Sequence, residues 1–413
     1  MKIILVLCLV AATFAAENTL RGILKSPKQT LQLYSDFKAH ESLNFRASED
    51  RLRFRLFRSN AEFVADINDE EGSAVFGINL FSAMTADEKK QYLGLNVTGH
   101  GKNPPHVSSS VSSRPDKVLW TNGDQVTAVK DQGSCGSCWT FGAVGGLETR
   151  YQIESGKLRN FAEQEYLDCV YEGESDGCNG GWPSDCYDYS KSLGGRLASA
   201  ANYKYVGKDG RCRGSSKPNA MVAAKITGYR DVPGTEDANI DALGDGSLAV
   251  AFEVTTYFQQ YWKGIIQDTT CTGSPNHAVT AVGYTPAFVL VKNSWGDKWG
   301  EDGFVKFARH YTANCGLFSY SSYPTLAKTG QSDSSPSDKA TSYRPTEGDD
   351  VNPAPICFDK ESDCEPHYCD WDAEYMAKYC AKTCKYCDDG NDGECRSGTV
   401  RCDDGVCRHK HMC

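Results

Sequence analysis

The chain has 413 residues, which is room for two or three domains of ordinary size and for a sizeable core. Its formal charge is −10, with 44 Lys and Arg against 54 Asp and Glu, and this argues against nucleic acid or an anionic membrane as the main partner, because both need a basic footprint. Nineteen cysteines, ten of them after residue 356, are too many for a reducing cytosol and point to an oxidising compartment with a disulfide-stapled tail.

Met1-Lys2 leads into an apolar run, Ile3 to Val10, and then into Ala11, Ala12, Thr13, Phe14, Ala15 and Ala16. The run is shorter than the ~17 residues that a spanning helix needs, so residues 1–16 read as a cleaved secretory signal rather than an anchor. A secreted, extracellular or lysosomal location is therefore expected. No later stretch has the character of a membrane span.

From Glu49 to Asn68 the apolar residues return with a helical period, placing Leu52, Leu56, Phe63 and Ile67 on one face with Phe57 and Val64 beside it. Asn96-Val97-Thr98 is the glycosylation sequon of the chain, so an N-glycan is expected on Asn96. Gly99 to Ser113 is rich in Ser, Pro and Gly, a loop by composition and a cleavage zone, with the mature chain expected to begin near Arg114-Pro115.

Gln132-Gly133-Ser134-Cys135-Gly136-Ser137-Cys138-Trp139 then runs into a helical segment in which Phe141, Val144, Leu147 and Tyr151 share a face. Gly142, Gly145 and Gly146 would allow another element to approach that helix closely. A thiol at a helix N-terminus faces free N–H groups and the positive end of the dipole, so Cys138 is expected to ionise more readily than a free thiol. The same Cys-x-x-Cys spacing suits a redox pair or half of a zinc site, and this stretch alone leaves the three readings open.

A thiol nucleophile needs a base within reach. Between residues 114 and 327 there are two histidines, His277 and His310. His277 opens an apolar strand, Ala278 to Tyr284, which turns at Thr285-Pro286 into a second strand, Phe288 to Val291, ending at Lys292-Asn293-Ser294-Trp295-Gly296. Folded as an antiparallel hairpin, these strands bring His277 opposite Asn293 to Trp295, so that Asn293 orients the imidazole and Trp295 shields the bond from water. His310 lies in a polar stretch and reads as a surface residue.

Glu49, Arg53, Phe57, Asn60, Val64 and Asn68 fall on the ERFNIN spacing of papain-like propeptides. Gly77, Asn79 and Phe81 resemble its partner motif, with Ala83 where an aspartate is usual. From Pro115 and Trp120 through Pro324 the chain resembles a cathepsin L-like peptidase of the papain family. The resemblance implies an α+β, two-lobe fold, with a helical lobe around Cys138 and a β-barrel-like lobe around His277 and Asn293. Residues 17–113 would be an inhibitory helical propeptide and residues 114–327 the peptidase domain. The implied activity is that of an endopeptidase that cleaves proteins or peptides through a thioester, needs no cofactor or metal, and is inhibited by its own propeptide. Residue by residue, Cys138 is the implied nucleophile, His277 the general base and acid, and Asn293 the orienting group. The Gln132 side chain and the Cys138 N–H form the implied oxyanion hole.

The same resemblance implies disulfides Cys135–Cys178, Cys169–Cys212 and Cys271–Cys315, which commits Cys135 elsewhere and leaves Cys186 over, either as a buried free thiol or as a partner for the tail. Gly181 would pair with an extended substrate as an antiparallel ladder, with the Asn276 carbonyl on the other side and Trp295 close by. Trp182, Pro183, Ala251, Pro275, Ala278 and Tyr320 would line the pocket for the second residue before the scissile bond. Tyr320 stands where a smaller residue is frequent, which favours medium aliphatic side chains. Asn276 stands where an acid is usual and removes a charge near His277.

Residues 328–355 are polar and read as a solvated linker. In residues 356–387 six cysteines recur, and spacing alone does not choose their connectivity. They resemble the ShKT module of sea-anemone toxins, which implies Cys357–Cys387, Cys364–Cys380 and Cys369–Cys384. Glu374-Tyr375 replaces the Lys-Tyr pair of channel blockers, and residues 356–413 carry eight basic against thirteen acidic residues, so the tail is expected to tether a protein or glycan. Residues 388–413, with Cys395, Cys402, Cys407 and Cys413, form a further cysteine-rich extension. The alternative to an enzyme is a non-catalytic binding or toxin-like protein acting through this tail.

Overall fold

The computed structural model describes residues 19–69, 72–95, 115–171, 173, 175–213, 221–222, 224–310 and 314–328, with two short tail strands at 399–401 and 407–409. The chain divides into two compact units, the second running from Thr346 to the end. Residues 1–16, Asn96, the processing zone up to Arg114 and the six ShKT-like cysteines lie outside the described residues.

Three helices open the described chain: Leu20–Lys25, Pro27–His40 and Ala47–Asn68. Ser26 caps the second through its hydroxyl, and Pro27 supplies a preset φ at its first turn. In the third, Phe57, Ala61, Val64, Ala65 and Ile67 are buried, while Leu52 is 41% exposed. The buried face thus lies one step round from the expected one, because the packing partners are Tyr34 and Phe37, whose rings sit 5.2 and 4.9 Å from Phe57. Arg53 pairs with Glu49 one turn back on this helix, ties the helix to Glu88 of the short helix Ala86–Lys90, and donates to the Ala83 carbonyl at 3.0 Å. Position 83 therefore contributes its backbone oxygen, and Glu88 contributes the carboxylate.

The strands are β1 (Ala74–Phe76), β2 (Val118–Leu119), β3 (Leu197–Ala198), β4 (Met221–Val222), β5 (Ile226–Val232), β6 (Leu248–Phe252), β7 (Tyr261–Ile266), β8 (His277–Tyr284), β9 (Phe288–Lys292), β10 (Phe304–Ala308) and β11 (Tyr320–Leu326). Nine of the described strands form one sheet in the order β1-β7-β10-β9-β8-β6-β11-β5, with β2 on β8. Closing it would require β7 to pair with β5, but the outer edge of β7 carries β1, so the sheet stays open and the barrel-like expectation holds only loosely. β8 and β9 form the expected antiparallel hairpin, with Thr280 opposite Lys292. All eight residues of β8 are buried.

The central helix, Cys138–Ser155, lies against β8 and ends at Gly156, whose φ of 69° suits a left-handed C-terminal stop. A Cβ on Gly145 would come within 2.2 Å of Thr280 Oγ1, so the helix seats on the strand only because residue 145 has none. On its other side Trp139, Val144, Leu147 and Tyr151 join Tyr166, Leu167 and Tyr187 in the core of the helical lobe. The β-lobe core contains Leu248, Phe252, Val279 and Trp299 together with Phe81 from the N-terminal region. Phe81 is fully buried, its ring 4.7 Å from that of Trp295, a contribution of ~1.5–3 kcal/mol from burial alone.

Cys135 is bonded to Cys178, and Cys169 to Cys212. Cys271 and Cys315, expected to pair, are both thiols. Their sulfurs share one acceptor, the Asp268 carbonyl, at 3.4 and 3.7 Å, which satisfies both S–H groups without a covalent bond. Cys186 is a buried free thiol.

Arg53 holds the Glu88 carboxyl down to about 2, and Thr85 backs it as a capping box. A depressed pKa makes this contribution fully present above the ordinary value of 4.5, and it is lost as pH falls toward 2. Glu88→Gln keeps the cap and removes the charge. In a Cys138→Ala zymogen it should lower Tm by about 2 °C at pH 7, with the difference closing as pH approaches 2 in a calorimetric pH series.

Candidate functional site

Cys138 is the first residue of the central helix and is fully buried. Its Sγ accepts the Ala278 N–H at 3.4 Å, which brings the residue after His277 onto the thiol. His277, also fully buried, opens β8, and its Nε2 lies 2.9 Å from Asn293 Oδ1. Its Nδ1 is buried with no hydrogen-bond partner. Trp295 covers the pair, its ring 4.8 Å from the imidazole at 32°. His310 is 70% exposed at its side chain and pairs with Glu236, away from this cluster.

Gln132 is fully buried, and its side chain has a single set orientation. Ser294 Oγ donates to its Oε1 at 2.6 Å, while its Nε2 donates to the carbonyls of Cys135 at 2.9 Å and Tyr92 at 3.1 Å. Beneath the site lies an ion cluster that the sequence analysis did not identify. Lys292, beside Asn293, donates to Thr127 Oγ1 at 2.8 Å, Thr127 donates to Glu148, and Lys130 bridges Glu148 and Glu163. Ser294 and this cluster left no spacing signal, because their partners lie on distant segments. Only the adjacency of Ser294 to Asn293 pointed to it.

The segment Tyr92 to Leu95 crosses the site at Cys138, Gln132 and Asn276. Gly181 N–H donates to Gly94 O at 3.0 Å, Leu95 N–H donates to Asn276 O at 3.2 Å, and Gly94 N–H donates to Cys138 Sγ. Leu95 pairs with Gly181 in the parallel sense, opposite to the ladder expected for a substrate. Residue 181 must be glycine here, since a Cβ would come within 2.6 Å of the Trp139 ring. The structure thus brings Gly181 and Asn276 to one backbone-pairing groove.

The pocket residues also converge. Tyr320 is opposite Ala251, and Ala251 is opposite Ala278, across β11, β6 and β8. The Trp182 ring stands edge-on to that of Tyr320 at 5.3 Å, Pro183 begins the helix Pro183–Ser192, and Pro275 is buried next to Asn276. Asn276 holds its own position through Val254, accepting from its N–H at 2.8 Å and donating to its carbonyl at 3.3 Å.

Burial pushes the Cys138 thiol up to about 11 despite the backbone donors around it, the reverse of the expected easy ionisation. With residues 92–95 seated, desolvation outweighs the helix N-terminus. Burial likewise lowers His277 to about 4, against the opposing hydrogen bond that its ring donates to Asn293. Both groups are therefore neutral near pH 7. Among the described residues no group of three or more His, Cys, Asp or Glu is placed to hold a metal ion, and no described helix is long and apolar enough to cross a membrane.

Residues 114–325 match the family described as papain family cysteine protease, residues 34–88 the cathepsin propeptide inhibitor domain (I29), and residues 356–387 the ShK domain-like family. Ananain from Ananas comosus is 36% identical over 292 residues, covering 67% of this chain and 82% of that protein. Papain from Carica papaya is 34% identical over 313 residues, covering 73% and 88%. The solved structure of digestive procathepsin L2 proteinase from Tenebrio molitor larval midgut shares 32% identity at a TM-score of 0.65, covering 72% of this chain and 100% of that one.

A thiol at about 11 instead of 9.0 holds ~100-fold less thiolate at pH 7. Iodoacetamide should therefore label Cys138 of the intact chain at least about 100-fold more slowly than after residues 92–95 are removed. Equal rates, read by mass spectrometry of the Cys138 peptide, would contradict the burial argument.

Proposed function

The chain belongs to the papain family of cysteine proteases and is a cysteine endopeptidase made as a zymogen, and from that premise we propose how its residues divide the reaction. Cys138 Sγ attacks the scissile carbonyl carbon as its proton passes to His277 Nδ1. The oxyanion is held by Gln132 Nε2–H and the Cys138 N–H. His277 then returns the proton to the leaving amine, and water cleaves the thioester. The observation that carries this reading is the His277 ring: Nε2 is committed to Asn293 at 2.9 Å, while the buried Nδ1 is the nitrogen without a partner. Asn293 sets which nitrogen is basic, and Trp295 keeps water off that bond.

The propeptide holds this machinery latent by using it in reverse. Gly94 and Leu95 take the hydrogen bonds of Gly181 and Asn276, and the Tyr92 carbonyl takes the Gln132 donor. A parallel backbone presents no carbonyl to Cys138 in the sense a substrate does. Maturation near Arg114-Pro115 would clear the groove. The signal-like residues 1–16 and the two disulfides support a secretory route to the cell exterior or the lysosome. For the ShK domain-like residues 356–387, the acidic excess favours a tether to a protein or glycan over channel block.

Cys138→Ala should abolish peptide hydrolysis. Gln132→Ala should lower kcat by about 10²–10³, the ~2.7–4 kcal/mol typical of one lost oxyanion donor. An epoxide-type thiol inhibitor should label Cys138 of the mature enzyme; absence of both labelling and hydrolysis would overturn the assignment.

Tyr320 closes the pocket floor with a phenol facing Trp182. A peptide library should be led by Val or Leu at the second position before the cut, and Tyr320→Ala should move the preference toward Phe. A profile led by Arg would refute this reading.

A further inference from the structure

The loop from Gln132 to Cys138 carries both proposed oxyanion donors, so its shape sets the distance between them. One side chain from a distant segment closes that loop. Tyr205 Oη lies 2.7 Å from the Gln132 carbonyl oxygen and 2.6 Å from Ser137 Oγ. A carbonyl oxygen only accepts, so the single phenolic proton goes to Gln132. The phenol oxygen must then accept from Ser137, whose other acceptor among the described residues, the Cys135 carbonyl, is at 3.4 Å. The result is a directed chain from Ser137 through Tyr205 to Gln132, spanning both ends of the loop. The ring is held in place by an edge contact with Phe141, centroids 5.0 Å apart, on the first turn of the central helix.

We propose that Tyr205 is a positioning residue for the oxyanion hole, its hydroxyl clipping Gln132 to Ser137 and so holding the Gln132 amide at a fixed distance from the Cys138 N–H. The inference rests on the assignment of Gln132 as a donor. The loop needs such a clip because Gly133 turns it with a left-handed φ of 60° and has no side chain to pack. Its other restraints are the Cys135–Cys178 bond, the Gly136 N–H to Cys178 O bond at 3.0 Å, the Gln132 N–H to Ser294 O bond at 2.9 Å, and the bonds that the Gln132 amide and the Ser137 N–H each donate to Cys135 O at 2.9 and 2.7 Å; these hold its first residue and its middle, and none of them joins Gln132 directly to Ser137. An oxyanion donor acts only when it stays within a few tenths of an ångström of the developing charge. Loosening the loop therefore weakens the transition state more than the bound substrate.

Tyr205→Phe removes one oxygen and keeps the contact with Phe141. In the mature enzyme kcat should fall about three- to tenfold with KM unchanged. Alkylation of Cys138 by iodoacetamide, which forms no oxyanion, should keep its rate. In a Gln132→Ala background Tyr205→Phe should cost less than about twofold, because the donor it positions is already gone. An unchanged kcat in Tyr205→Phe, equal losses in hydrolysis and alkylation, or the full loss in the Gln132→Ala background would each overturn the inference alone. If Gln132→Ala itself leaves kcat intact, the donor assignment fails first and the inference fails with it. Ser137→Ala, which breaks the other end of the same clip, should lower kcat without adding to Tyr205→Phe, and additive losses would count against it.

Discussion

The 2.9 Å hydrogen bond between His277 Nε2 and Asn293 Oδ1 decides which imidazole nitrogen is left for the thiol. The β8–β9 hairpin and the rings around Trp295 support that bond. The β8–β9 hairpin sets the register that brings residue 277 beside residues 293–295. Trp295 covers it, and Trp295 is itself wedged by Phe258, Trp299 and the propeptide's Phe81. In a site this dry the bond is strong, but the same dryness penalises an imidazolium.

That tension explains how one geometry can serve both latency and catalysis. With the propeptide seated, burial lifts the thiol and lowers the imidazole, so each group is held in its neutral form. The segment responsible takes the hydrogen bonds of Gly181, Asn276 and Gln132, the groups proposed to hold a substrate, but runs parallel where the proposed substrate ladder is antiparallel. Reversal keeps the scissile geometry out of reach, and desolvation keeps the nucleophile unarmed. The two effects are separable in principle because one is a matter of direction and the other of solvent.

The clustering of Cys138, His277 and Asn293 was legible in the sequence because these residues sit on strongly patterned local structure. Cys138 begins an apolar helix with glycines on its strand-facing side, and His277 begins a hairpin whose turn is marked by Thr285-Pro286. Local pattern was less reliable where a third element intervenes. Leu52 has the right period but points to solvent, because Tyr34 and Phe37 draw the helix round toward Phe57. The sheet stays open because a propeptide strand occupies the edge that closure would need. Cys271 and Cys315 come together without bonding, sharing the Asp268 carbonyl. The helix N-terminus by itself favours the Cys138 thiolate, and burial, which depends on distant segments, reverses the sign.

Sequence by itself determined the chemistry that is present: one thiol at a helix mouth, one histidine and one asparagine at hairpin distance, and a helical propeptide ahead of them. It could do so because residue type and short-range periodicity are local properties. Only the tertiary structure decided the orientation of those groups. The free nitrogen of His277, the reversed path of Gly94 and Leu95, and the Tyr205 hydroxyl joining Gln132 to Ser137 all depend on segments far apart in the chain. Hydrogen-bond direction and solvent exclusion arise where such segments meet, and no local pattern along the chain encodes them.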